Sequence, residues 1–243
     1  MIPPSHPRYR SLITRERLAR CAQKGIVTLE GLAAHGRGEA FDYLIGERTT
    51  DSARIAERTA AALLKSARHP VISVNGNTAA LAASEISSLQ KASGALVEVN
   101  LFHRTEKRVQ QIEHLLSEAG ADVFSGESER LLPLHHDRAW CRRGGIFSAD
   151  VVLVPLEDGD RCEALVGMGK TVVAIDLNPL SRTARTASLT IVDELTRALP
   201  QITHACYGLS KNEGIDLIAS LDNHYLLTDA IREMTMRLSH ALD

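Results

Sequence analysis

No apolar run in this 243-residue chain approaches the roughly 20 residues that a membrane-spanning helix requires. The opening MIPPSHPRYR has no apolar core of the kind a secretory signal carries, so the expected location is cytoplasmic, away from any membrane. Cysteine is sparse: Cys21, Cys141, Cys162 and Cys206 lie far apart and form no CxxC pair. That spacing suits neither a zinc site nor a disulfide-stapled scaffold, and four free thiols fit a reducing compartment. Net charge is close to nil at −2, which leaves no global field to draw nucleic acid. Repeats and low-complexity tracts are missing too. Only six of the 28 Lys plus Arg are lysine. The cationic chemistry is therefore that of arginine, always charged and able to grip phosphate with two bonds, although a plain compositional bias gives the same count.

Two phosphate motifs are also missing, despite near matches. GMGKT (167–171) ends like a Walker A loop, but that loop needs glycine where Ala164 stands. Its order is reversed as well, since GMGK closes a helix and enters a strand, so Gly167 or Gly169 reads as a helix C-cap. GRGEAF (36–41) begins like a dinucleotide fingerprint, yet Phe41 replaces the last small residue and no strand precedes it. A nicotinamide site is not expected.

What is present is an alternation. The length allows one large α/β domain or two small ones. Residues 5–24 read as a helix with Ser5 as N-cap and Pro7 in its first turn; 35–47, with two glycines in three residues, reads as a tight loop leading into a short helix; 51–68 reads as a helix capped by Asp51, with Ile55, Ala56, Ala60, Leu63 and Leu64 as its stripe. Strands are expected at 71–74, 95–99, 121–124, 150–154, 171–175 and 189–192, with helices at 78–92, 105–119 and 160–168 between them. Continuous Val/Ile runs alternating with helices indicate a buried parallel sheet. The expected fold is α/β, a doubly wound, mostly parallel Rossmann-like sheet with N-terminal and C-terminal helical extensions: a helical region over 1–69, a nucleotide-binding core over 70–200 and C-terminal helices over 201–243, near 211–220 and 223–241, forming one compact unit. The stretch 125–148 reads as a long loop or lid.

In such sheets ligands bind beyond the carboxyl ends of the strands. Here those ends carry Asn75-Gly76-Asn77, Asn100 with His103 and Arg104, Glu157-Asp158-Gly159-Asp160-Arg161, Asp176-Leu177-Asn178 with Arg182 and Arg185, and Asp193-Glu194. Gly76 lets backbone come close to a ligand at a helix N-terminus suited to anions; the alternative is a plain N-cap at Asn77 or Thr78. Glu157, Asp158 and Asp160 are candidates for a Mg2+ ion riding on phosphates, or else a solvated acidic turn.

SHPRY (5–9), HGRGEAFDYLIGER (35–48), SVNGN (73–77), VNLFHRTEKR (99–108), DVVLVPLEDGDR (150–161), DLNPLSR (176–182) and TIVDE (190–194) together resemble the signature blocks of archaeal phosphopantothenate synthetase, in family order. The resemblance implies a homodimer that uses ATP and Mg2+ to activate 4-phosphopantoate as an acyl adenylate, from which β-alanine displaces AMP. It implies ATP contacts from Arg15, Arg37, Asp176, Leu177, Asn178, Arg182, Thr183, Glu194 and Leu195, although Glu194 stands where the family commonly has Asn. Arg37, Asp158, Asp160 and Arg161 are the expected catalytic residues, and Asn75, Asn77, Asn100 and Arg104 the expected contacts to the phosphorylated acid. The alternatives are a Rossmann-type oxidoreductase and a non-catalytic binder of phosphorylated metabolites.

Overall fold

The computed structural model describes residues 2, 3, 5, 6 and 8–242. Three helices come first. α1 (Tyr9–Gln23) starts later than expected: Arg8 stands at its N-cap without a side-chain capping bond, Ser5 lies outside the helix, and Pro7 falls outside the described residues. α2 (Leu29–Ile45) covers the stretch expected as a tight loop leading into a short helix: the helix is there, but it starts at Leu29 and takes in both glycines of the expected loop. Thr28 accepts from the Gly31 amide at its start, and Gly46, at φ 91°, ends it in the left-handed region. Two good caps, and the packing of Phe41, Leu44 and Ile45, outweigh the cost of roughly 1 kcal/mol for each of Gly36 and Gly38 inside the helix. α3 (Asp51–Ser66) is capped by Thr50 rather than Asp51, which pairs with Arg54 instead. Ile55, expected on its apolar stripe, is exposed, whereas Ala56, Ala60 and Leu64 are buried.

The alternating core follows: β1 (Pro70–Val74), α4 (Gly76–Ser93), β2 (Leu96–Val99), α5 (Glu106–Glu118), a short antiparallel pair β3 (Glu129–Arg130) and β4 (Trp140–Cys141), β5 (Val151–Pro155), α6 (Gly159–Gly167), β6 (Thr171–Ile175), α7 (Arg182–Thr186), β7 (Leu189–Ile191), α8 (Leu195–Gly208), α9 (Lys211–Ala219) and α10 (Asn223–Ser239). The main sheet is parallel throughout, in the order β2-β1-β5-β6-β7. Successive side chains alternate between two apolar layers. Ile72, Val74, Leu153, Val173 and Ile175 face the layer that holds α4 and α8, while Val71, Val152, Val154, Val172 and Ala174 face the layer that holds Leu165 of α6. Both faces are therefore covered, as a doubly wound sheet requires.

Two expectations fail here, and one helix stands where none was expected. Residues 121–124 form no strand beyond one bridge, Val97 to Val123, because both backbone groups of Asp122 bond the Gln90 side chain of α4 instead. α8, absent from the expected elements, runs through Pro200, a residue type that ordinarily breaks a helix interior. And 125–148 is no lid: Ala139, Cys141 and Ile146 are buried, and the Arg142 and Ile146 amides donate to the buried carboxylate of Glu98 at 2.8 and 2.7 Å. Gly145 is obligatory in that wall, since a Cβ there would stand 1.9 Å from Glu98 Oε2.

Candidate active site

The winding direction changes between β1 and β5, and a cleft of about 1580 Å³ opens beyond the carboxyl ends of the strands there. Asn75 builds its floor. The side chain caps α4 by accepting from the Thr78 amide at 2.9 Å, and it donates to the carbonyls of Pro155 and Leu156 at 3.1 and 2.9 Å. The N-cap is thus Asn75, not Asn77 or Thr78, and its amide is spent on joining β1 to β5. Leu156 sits at φ 56°, unusual for a branched side chain and worth roughly 1–3 kcal/mol of strain, as it turns the chain toward Glu157 and Asp158. Gly76 does permit a close approach, but the approaching group is the Ile26 carbonyl, 2.2 Å from where a Cβ would lie. Asn77 lines the cleft and donates to Gly31 O, tying α4 to the start of α2.

The LEDGDR carboxylates do not act as one cluster. Glu157 is 2% exposed between Arg161 and Arg138, the latter 3.4 Å away. Asp158 accepts from Arg138 Nε at 2.9 Å, and Asp160 faces His136 Nε2 at 2.7 Å. Burial works against ionisation of Glu157, yet Arg138 and Arg161 outweigh it and hold its pKa below the usual range. Among the described residues no three side chains are grouped to hold a metal ion. The expected three-carboxylate Mg2+ cluster is therefore reduced to Asp158 and Asp160, both part-exposed toward the cleft. Arg161 is fully buried, bonds Glu157 and Ser73, and does not line the cleft.

At the β6–β7 end, Asp176 accepts from the Asn178 amide at 2.9 Å and from Ser181 Oγ at 2.5 Å. Burial raises its pKa, against the pull of those two bonds and of Arg37. Leu177 lies under α2, with Gly38 close enough that a Cβ would be 3.8 Å from its methyl. Arg37 projects from α2 rather than from a loop, lines the cleft, and makes no hydrogen bond or ion pair within the described chain. Arg182 lines the cleft in an exposed pair with Glu163, and the buried Thr183 donates to Glu157 O. Glu194 caps α8 by accepting from the Thr196 amide, so its side chain serves the helix; Leu195 begins that helix beside it. Arg15 stands outside the cleft lining, held by Glu39 at 2.7 Å.

At the β2 end the expected pair is displaced. Asn100 is buried and bonds Arg138 and Trp140 backbone, so it positions Arg138 rather than facing the cleft. Arg104 turns to Glu106 and to a second cavity of about 620 Å³. Their places in the cleft are taken by His103, Arg108 and Arg138. Arg108 donates to the carbonyls of His103 and Ile26, and among the described residues it forms no ion pair and its buried Nε has no partner. His103 and Arg108 lay within the VNLFHRTEKR block; Arg138 lay in the stretch set aside as a lid. In all, seven arginines line the cleft, with no lysine and no cysteine among the described residues.

The description "Phosphopantothenate/pantothenate synthetase" matches residues 52–237 of this chain. The 4-phosphopantoate--beta-alanine ligase of Methanospirillum hungatei is 59% identical over 243 residues, which is 100% of both chains. The enzyme of that name from Methanosarcina mazei is 53% identical over 241 residues, 98% of this chain and 95% of that one, and the one from Thermococcus kodakarensis is 48% identical over 244 residues, 98% and 94%.

Proposed function

The chain belongs to the phosphopantothenate/pantothenate synthetase family, and from that premise we propose that it is a carbon–nitrogen ligase joining 4-phosphopantoate to β-alanine with ATP, on the way to coenzyme A. The observation that carries the reading is one continuous cleft across five strand ends, cationic at both ends and acidic at the switch point between them. From β6 to β2 the cleft spans three strand spacings, about 14 Å, room for a nucleotide and a small phosphorylated acid to meet over the switch point.

The nucleotide takes the β6–β7 end, at Asp176, Leu177, Asn178, Arg182, Thr183, Glu194 and Leu195, with Arg37 above it. Asp176 suits ribose hydroxyls; Arg37 and Arg182 offer charge to the phosphates. The phosphate of the acid takes the β2 end, where Arg108 is a cation with no ion pair among the described residues. A carboxylate is inert toward an amine at neutral pH because its oxide leaves poorly, so ATP must activate it. Attack on the γ-phosphorus is usually served by a Walker-type cradle, which this chain lacks. Attack on the α-phosphorus gives an acyl adenylate and pyrophosphate, and fixed guanidinium groups stabilise the charge that grows there. Mg2+ would neutralise phosphate charge, with Asp158 and Asp160 the part-exposed carboxylates that would hold it.

The test is an incubation with ATP, Mg2+, 4-phosphopantoate and β-alanine. AMP should appear in step with product, and labelled pyrophosphate should exchange into ATP when β-alanine is left out. ADP without exchange would overturn the adenylate step and leave the ligation standing; tight NAD(P) binding without ligation would favour an oxidoreductase.

A further inference from the structure

α2 lies across the cleft, and one of its faces meets the strand ends at three points. Gly31, Gly38 and Asp42 share that face by helical spacing. The Gly31 carbonyl accepts from Asn77 Nδ2 at 2.8 Å, and a Cβ on Gly31 would stand 2.4 Å from Asn77 Oδ1. Gly38 lies over Leu177, and Asp42 meets Arg197 of α8. Those partners follow β1, β6 and β7 in turn. From Gly31 to Asp42 the helix covers about 16 Å, which matches the three strand spacings, about 14 Å, between β1 and β7. The helix is thus a bar laid over the switch point, resting on both sides of it.

The three contacts differ in kind. The first is one hydrogen bond to backbone and the second an apolar touch, but the third is a fork. Arg197 Nη1 and Nη2 donate to the two carboxylate oxygens of Asp42 at 3.1 and 2.5 Å, while its Nε donates to Asp193 Oδ1 at 2.8 Å. Asp193 is itself fixed: it is buried after β7 and accepts from Thr49 Oγ1 at 2.6 Å and from the Glu194 amide at 2.7 Å. One planar guanidinium therefore joins the 193–195 turn to α2. All three of its nitrogens are engaged, so its charge is spent on the fold and not on a ligand. A lysine, a point charge without a fork, cannot grip both acids in this way. Ile45, at the end of α2, shares an apolar cluster with Leu227, Ala230 and Met234 of α10. Contact of that kind holds the helix down but is non-directional, so it leaves the rotation of α2 to the fork.

We propose that Arg197 is a positioning residue: by gripping Asp42 from the β7 end it sets the rotation of α2 and so aims Arg37 at the phosphates of the nucleotide. This rests on the nucleotide-end reading above. Arg37 stands on α2 about 7.5 Å along the axis from Asp42 and lines the cleft. With no ion pair of its own among the described residues, it has no partner to fix where it points. Its direction comes from the helix that carries it, and the fork on Asp42 is the one bidentate, charge-assisted contact described between that helix and the strand ends.

The experiment is a pair of double-mutant cycles read on calorimetric affinity for ATP with Mg2+, with urea midpoints taken alongside. Arg197→Lys and Asp42→Asn are each made in the wild type and in Arg37→Ala. In the wild type each should weaken ATP binding roughly tenfold, the scale of one charge-assisted contact. In Arg37→Ala each should change the affinity by less than about twofold, because no guanidinium is left to misdirect. A pair that only holds the fold together lowers affinity equally in both backgrounds, and that result overturns the proposal. Unchanged affinity in the wild-type background overturns it as well. If Arg197→Lys does not fold, the Asp42→Asn cycle decides alone, since that variant keeps Arg197 paired with the buried Asp193. A wild type that binds ATP but forms no product sinks the ligase reading and leaves the cycles to be read as above. A wild type that binds no ATP overturns the nucleotide-end reading and this proposal together.

Discussion

At the scale of single residues, Arg37 lines the cleft in a setting its flanking glycines did not suggest. Its flanking glycines suggested a tight loop before a short helix, whereas it stands within a capped helix, without an ion pair among the described residues and close enough to Asp176 to favour its ionised form. Helical mounting strengthens the expectation of a directed guanidinium. Arg37→Lys should fold normally and lower turnover roughly tenfold or more, since one charge-assisted contact is worth about 1.5–3 kcal/mol. Near-wild-type kcat/KM in that variant would remove Arg37 from the chemistry. The residues that sequence misplaced are those whose side chains the fold consumes. Asn75, Asn100, Glu157 and Arg161 have the right chemistry for a ligand and spend it on neighbours remote in sequence: Pro155, Trp140, Arg138 and Ser73. No local pattern reports such partners.

At the scale of elements, the five sheet strands could be read within a residue or two, because a strand buried on both faces is a continuous apolar run whatever surrounds it. α2 could be read only in part and α8 not at all, because each carries a residue that argues locally against helix, Gly36 with Gly38 in one and Pro200 in the other, and tertiary packing overrides it. The start of α4 shows how such packing constrains a single position. Gly76 lies against the Ile26 carbonyl, a backbone atom with no freedom to rotate away. Gly76→Ala should therefore lower stability by about 1–3 kcal/mol and raise KM for both acyl substrate and ATP, because the β1–β5 junction must shift. An unchanged urea midpoint would show that the 26–27 segment yields freely.

At the scale of the whole molecule, the outer surface carries apolar side chains with no cover: Leu29 and Tyr43 on α2, Tyr207 on α8, Ile215 on α9, and Tyr225, Met236 and Leu238 on α10. Together with the dimeric family resemblance they lead us to expect a homodimer. Light scattering should return a mass near twice 26.5 kDa, and a monomer at working concentration would refute this. Among the described residues no helix is long and apolar enough to cross a membrane. The thiols take no part in any of this: burial pushes Cys141 and Cys162 up to about 12 and Cys206 to about 11, which leaves them poor nucleophiles.

The composition of the cleft lining bears on the fidelity of the reaction. An activated acyl group is attacked by whichever amine reaches it first. A lysine within reach would compete with β-alanine and end by modifying the protein itself, one copy lost per event. Seven arginines supply all the positive charge that phosphates ask for, and a guanidinium that never sheds its proton has no lone pair to offer. With cysteine also absent from the lining among the described residues, the cleft would, on the proposed adenylate route, shelter a reactive mixed anhydride without becoming its victim, and no lysine or cysteine of the lining would rival the amine that arrives from solution.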